Sequence, residues 1–104
     1  MRDLEFIIDG QIMKKDPACS FSNIVAGSKN FFRCKFNFCR EWNGFSCAAV
    51  FNAAGKVQYV PIIDCRCMIP DTITSEREYL ISIIGTKDDT TITTNSVKVF
   101  QTKN

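Results

Sequence analysis

The sequence predicts an all-β fold: an immunoglobulin-like antiparallel β-sandwich of seven or eight strands, with at most one short helical turn. Three observations predict it. Short stretches with period-two alternation recur between polar turn clusters, helical periodicity is nowhere sustained, and 104 residues give room for one core between two sheets. A chain of this length buries somewhere around 65% of the surface that its unfolded form exposes. No internal repeat, low-complexity tract or flexible linker divides it, so residues 1–104 are expected to form a single domain.

Near the start, residues 4–8 and 11–14 are two short strand candidates about Gly10. The clearest strand is FFRCKFNF, residues 31–38, where Phe32, Cys34, Phe36 and Phe38 share one face while Arg33, Lys35 and Asn37 share the other. After a turn at 41–44, CAAVFN and VQYV flank the turn AAGK at 53–56 and read as a hairpin. Residues 62–69 alternate Ile63, Cys65, Cys67 and Ile69 against Ile62, Asp64, Arg66 and Met68, and Pro70, which cannot donate to a ladder, ends that strand. Between 71 and 78, Thr72, Thr74 or Ser75 ahead of acidic residues permits one capped helical turn. YLISII, residues 79–84, is continuously apolar apart from Ser82, the pattern of a central strand covered on both faces. Gly85 closes it, TKDDT forms a polar turn, and TITTNSVKVFQ, rich in β-branched residues, is the last strand.

Composition narrows the function. Hydrophobic residues make up 45% and charged residues 23%, values of an ordinary globular chain, so neither disorder nor a membrane protein is indicated. No apolar run approaches the roughly 20 residues of a spanning helix. The start, MRDLEFIIDG, interrupts its apolar residues with Asp3, Glu5 and Asp9, unlike a secretory signal, and the expected location is the cytoplasm. Thirteen Lys and Arg against 11 Asp and Glu give a net charge of +2 with both signs interspersed. A nucleic-acid binder carries a basic stripe and a DNA mimic an acidic excess, so specific nucleic-acid binding is not expected.

The six cysteines are expected to be reduced, because a disulfide framework needs an oxidising compartment. Cys65 and Cys67 alternate with Ile63 and Ile69, and Cys34 lies between Phe32 and Phe36, so these read as core thiols. The alternative is zinc held by Cys65 and Cys67 with Cys34 and Cys39. Structural zinc sites, however, put two to four residues between paired cysteines and sit in loops. The chain has no histidine, which removes Ser-His-Asp and Cys-His nucleophile activation and every histidine-based metal site. No catalytic or metal-binding role is assigned to any residue, no cofactor is expected, and the chain is not read as an enzyme.

The residues singled out for binding lie in two turns: Arg40, Glu41, Trp42 and Asn43 in one, Asp88 and Asp89 in the other. Turns that join strands carry contacts on a rigid scaffold. Trp42 has two readings, an interface anchor or a plug at the end of the core. Nine phenylalanines against two tyrosines favour core filling, since antibody-like binding loops prefer Tyr.

From about residue 30 to 100, the ordered segments EWNGFSCAAVF, VQYVPIID, CRCMIPDTI, YLISIIGT and TITTNSVKVFQ resemble a β-sandwich domain of phages of Gram-positive bacteria, the N-terminal domain of upper baseplate and tail attachment proteins. The matching positions are Trp42, Gly44, Ala49, Val50, Phe51, Cys67, Ile69, Pro70, Thr93, Thr94 and Asn95. The resemblance implies a sandwich of phage origin that binds protein without catalysis, as a structural or accessory part of a tail, baseplate or capsid. A second expectation is a small phage inhibitor of a host defence system, of anti-CRISPR type, that binds a Cas nuclease or related protein through the two turns. Either partner is a protein, in the host cytoplasm or the assembled virion, and free sheet edges also leave room for a homo-oligomer.

Overall fold

A computed structural model describes residues 1–103 and arranges nine strands in two packed sheets. The strands are β1 (Arg2–Asp9), β2 (Ile12–Lys15), β3 (Phe32–Phe38), β4 (Ser46–Ala53), β5 (Lys56–Pro61), β6 (Arg66–Met68), β7 (Glu78–Lys87), β8 (Thr90–Thr93) and β9 (Val97–Phe100). The first sheet has the order β2-β1-β3-β6; the second has the order β5-β4-β7-β8, with β9 also on β7. Every pairing is antiparallel except β1 with β3, which run parallel over Arg2↔Phe32 to Ile8↔Phe38. No helix among the described residues is long and apolar enough to cross a membrane.

The parallel pair has a local cause. β2 folds back on β1 through Gly10 at φ 60°, and residues 16–31 then carry the chain around to the other side of β1. That crossing segment contains no strand. The Arg2 guanidinium donates to the carbonyls of Ser20, Ser22 and Asn23, and the backbone of Ile24 and Ala26 exchanges bonds with Thr102. Ile24 and Ala26 are thereby buried, closing one margin of the sandwich.

The core lies between the sheets and follows the alternation that the sequence displays. Leu4, Phe6 and Ile8 of β1 and Phe32, Cys34 and Phe36 of β3 face Ala49 and Phe51 of β4 and Tyr79, Ile81 and Ile83 of β7. Each large side chain so buried contributes about 1.5–3 kcal/mol relative to exposure. Phe6 stacks on Phe36 at 5.8 Å, and Phe51 meets Tyr79 at 5.9 Å. Cys34 and Cys67 are opposite one another in the β3–β6 register, both buried, and burial drives the Cys34 thiol well above its usual range. Among the described residues the neighbouring Tyr79 hydroxyl has no hydrogen-bond partner, and burial raises its pKa in the same way.

Two strands differ from expectation, and one helical turn is added to the expected one. The strand expected over 62–69 begins only at Arg66. Asp64 and Cys65 both take positive φ, 51° and 60°, forming a two-residue reversal in which Ile63 and Arg66 exchange hydrogen bonds of 2.9 and 3.0 Å. Cys67 and Ile69 are buried, but Ile63 is 68% exposed and Cys65 faces solvent, so Cys65 is not a core thiol. The reversal sets Ile63 directly across from Arg66, so the inward positions pass from even (Ile62) to odd (Cys67 and Ile69), and the apolar Ile63 and Cys65 mask that change in the sequence.

The last segment, read as one strand, is split into β8 and β9, which gives nine strands instead of seven or eight. Thr94 still donates its amide to the Ile83 carbonyl, at 3.0 Å, and its hydroxyl accepts the Ile83 amide, at 2.9 Å. Beyond it, the register with β7 advances by one residue. Asn95 there accepts the Met13 amide and donates to the Met13 carbonyl, at 2.6 and 3.0 Å, tying the break to β2 of the other sheet. The helical turn expected between 71 and 78 is present at Asp71–Thr74, and a 3-10 turn at Arg40–Trp42 joins it.

Candidate functional site

The two turns expected to make contacts lie together. β4 and β7 pair antiparallel with Ser46 opposite Thr86, so the turn entering β4 and the turn leaving β7 occupy the same end of the sandwich. The Lys87 ammonium stands 5.9 Å from the Phe45 ring centre, and a Cβ added at Gly44 would meet its Nζ at 3.2 Å. Arg40, Glu41, Asn43, Asp88 and Asp89 are all exposed there, with Asp88 at φ 53° in the β7–β8 turn.

Trp42 is a correction to the group of contact residues, since only 3% of it is exposed. Its Nε1 donates to the Gly10 carbonyl at 2.7 Å, and its ring packs against Phe38 and Phe45. Gly85 lies beneath the ring, where a Cβ would meet Cζ3 at 2.8 Å. Trp42 therefore plugs the core at this end and fixes the turn that carries its exposed neighbours.

Beside the plug opens a cleft of about 540 Å³, lined by Phe38, Trp42 and residues 43–47 on one side and 61–65 on the other. Asp64 is its one charged lining residue. Burial pushes the Cys47 thiol up, and Cys65 nearby adds to the shift. The thiolate is therefore disfavoured at neutral pH, and a thiol held protonated is a poor nucleophile. The cleft suits an apolar side chain better than acid–base chemistry. Arg40, Glu41, Asp88 and Asp89 stand outside it, and the sequence carries no local sign of it because its walls meet only through the β4–β5 pairing and the Asp64-Cys65 reversal. Among the described residues, no group of three or more His, Cys, Asp or Glu side chains is placed to hold a metal.

The largest contrast lies between the outer faces of the two sheets. On the first, Asp3 and Glu5 of β1 stand beside Arg33 and Lys35 of β3, which in turn neighbour Met68 and Arg66 of β6. Arg33 grips Asp3 with two hydrogen bonds, of 2.8 and 3.2 Å, and holds its carboxyl below the ordinary carboxylate range. On the second, register places Val57, Tyr59 and Pro61 of β5 beside Asn52, Val50 and Ala48 of β4, and these beside Leu80, Ser82 and Ile84 of β7. Phe100 of β9 extends this surface. Its charges are at one margin, where Lys98 and Glu78 approach to 3.7 Å. Val57, Tyr59 and Phe100 are 50%, 65% and 64% exposed. YLISII was expected to be covered on both faces; only Tyr79, Ile81 and Ile83 are covered by the core, and Leu80 and Ile84 look outward, half-buried.

No family model, curated protein or solved structure matches this chain.

Proposed function

We propose that this protein is a non-catalytic, phage-derived protein-binding module, a structural or accessory component of a tail, baseplate or capsid. The observation that carries the reading is the apolar outer face of the second sheet, whose charges, Lys98 and Glu78, are confined to one margin. A contiguous apolar patch rimmed by polar residues marks a protein-binding surface, because water contact with it is unfavourable and a protein partner removes that contact. The ordered resemblance of residues 30–100 to baseplate attachment domains supplies the phage setting. Virions purified to constant composition from cells expressing a tagged copy are expected to retain it in fixed stoichiometry. A preparation from which it washes away at moderate salt removes the virion placement.

A second reading rests on the turn cluster: a small inhibitor of a host defence nuclease, with Arg40, Glu41, Asn43, Asp88 and Asp89 forming one contact end. Their convergence is what favours it, since a wedge into a protein surface needs adjacent loops on a rigid base. Expression in cells that carry the defence system is then expected to restore transformation by a targeted plasmid. Unchanged interference ends this reading.

A further inference from the structure

We propose that two copies of the protein pair through the free edge of β5, antiparallel about a two-fold axis at Gln58, joining their second sheets into one. The inference does not rest on the docking reading, because edge pairing leaves the outer face of the sheet free.

The direction of each β5 amide follows from register. Ile62 donates its amide to the Cys47 carbonyl at 2.9 Å, and the β4–β5 pairing continues from there without a break to Ala53↔Lys56. Alternation therefore turns the amide and carbonyl of Val60, Gln58 and Lys56 toward β4, and those of Val57 and Tyr59 away from it. β5 ends its sheet, and no bond from another loop or side chain reaches these outward groups among the described residues. Pro61 falls at an outward position, where its missing amide costs no bond to β4.

Proteins usually blunt such an edge with charge, brevity or a kink. The other margins here do so: β2 carries Lys14 and Lys15, β6 has three residues, and β8 and β9 have four each, separated by the Thr94 to Ser96 break. β5 has six residues, and its outward positions Val57 and Tyr59 bear no charge.

The occupant that fits is the same strand. With Gln58 opposite Gln58 of the second copy, Val57 and Tyr59 of the second copy exchange amide and carbonyl bonds, and the two-fold axis repeats the exchange for a total of four. Val57 then lies directly across from Tyr59 on the shared outer face, a β-branched and aromatic pair of the kind that stabilises antiparallel strands. Lys56 meets Val60 rather than its own copy. The two Lys56 charges are kept about 14 Å apart along the strands, beyond the screening length at physiological salt, and each is already within 3.3 Å of Glu76. The edge is only about 20 Å long, and a single strand pairing of that length buries much less than the ~800 Å² per partner of a standing dimer, so association is weak and concentration-dependent.

Sedimentation or light scattering between about 5 and 500 µM, the range a small interface implies, is expected to show the mass rising from 11.8 kDa toward twice that value. Over the same range, amide exchange at Val57 and Tyr59 should slow, while Gln58 and Val60 stay protected throughout. Tyr59→Pro removes an amide that the single copy does not use and should return the protein to a monomer with unchanged circular dichroism. If that variant fails to fold, the exchange pattern of the unaltered chain decides. A constant 11.8 kDa, a dimer whose Val57 and Tyr59 amides exchange as fast as in dilute solution, or a folded Tyr59→Pro dimer overturns the proposal. None of these results touches virion retention, which reports on the docking reading separately.

Discussion

The two outer faces of this sandwich are built on the same core and the same pleat, yet they present opposite chemistry. On the first sheet, successive outward positions of β1 and β3 bring Asp3 beside Arg33 and Glu5 beside Lys35. On the second, outward positions of β4, β5 and β7 bring Val50 beside Tyr59 and Ala48 beside Ile84. Sheet geometry cannot be the cause, since both are pleated alike with one face buried. The difference lies in the side chains at the outward positions, and the proposed docking role accounts for it, with water to be met on one side and a protein on the other. A sheet that needed only to shield the core would gain nothing from Tyr59 and Phe100 standing 65% and 64% exposed.

The most direct way to break this comparison is to make the second face resemble the first. Val50→Lys combined with Phe100→Lys puts two charges into the apolar surface without touching a core position. Partner retention should fall at least ~100-fold, roughly 2.7 kcal/mol. The melting temperature should move by only a few degrees, because outward substitutions leave the packing intact. The matched change on the first face, Lys35→Gln with Arg66→Gln, should alter retention less than about threefold, as expected of solvated charges. Equal losses from both pairs would erase the distinction between the faces.

Much of this contrast is present in the sequence, but in a form that is ambiguous for a physical reason. YLISII has apolar residues at both parities, and that pattern means only that neither face of the strand prefers water. A strand covered on both faces and a strand whose outer face is apolar but uncovered leave the same imprint, and the fold shows the second, with Leu80 and Ile84 outward and half-buried. The alternation in FFRCKFNF was unambiguous because Arg33 and Lys35 can face only outward. The Asp64-Cys65 reversal is hidden because Ile62 and Ile63 are both apolar, so the change of inward parity across it leaves no mark in the pattern and Cys65 reads as core. The parallel β1–β3 pair and the 540 Å³ cleft depend on contacts between segments far apart in sequence, for which local periodicity carries no signal. Trp42 was visible as a turn residue with two readings. Its bond to Gly10 and the closeness of Gly85 decide for the plug.

That closeness offers a way to sharpen the comparison by testing what the faces share. Gly85→Ala would place a methyl group 2.8 Å from Trp42 Cζ3 and 3.3 Å from Cys47 Sγ, within a rigid aromatic cluster. Overpacking of this kind costs about 1–3 kcal/mol. Urea unfolding should show the loss in the midpoint with an unchanged slope. Amide exchange should accelerate in β1 and β3 as well as in β4 and β7, because one core supports both sheets. Acceleration confined to the second sheet would mean that the layers are energetically separate and that the faces differ in stability as well as chemistry.

The smallest expected effect belongs to the charged face alone. Arg33 donates two hydrogen bonds to Asp3 and lowers its pKa from the ordinary 3.8, an effect that outweighs the opposing influence of burial. Because the folded carboxyl releases its proton more readily than the unfolded one, folding is favoured wherever the carboxylate is charged. That contribution is complete at neutral pH, begins to fade as pH approaches 3.8 from above, and is gone once pH falls below the lowered folded value. Both partners are partly exposed, so salt should screen much of it. The melting temperature measured from pH 6 to pH 2 should therefore fall less steeply in Asp3→Asn than in the parent, and the gap between the two should narrow at 1 M salt. On the second face the carboxylate of Glu78 lies at the margin, opposite Phe100, so Val50→Lys alone should follow the parent's pH profile in parallel. A divergence below pH 4 would show that acid sensitivity is not confined to the charged face.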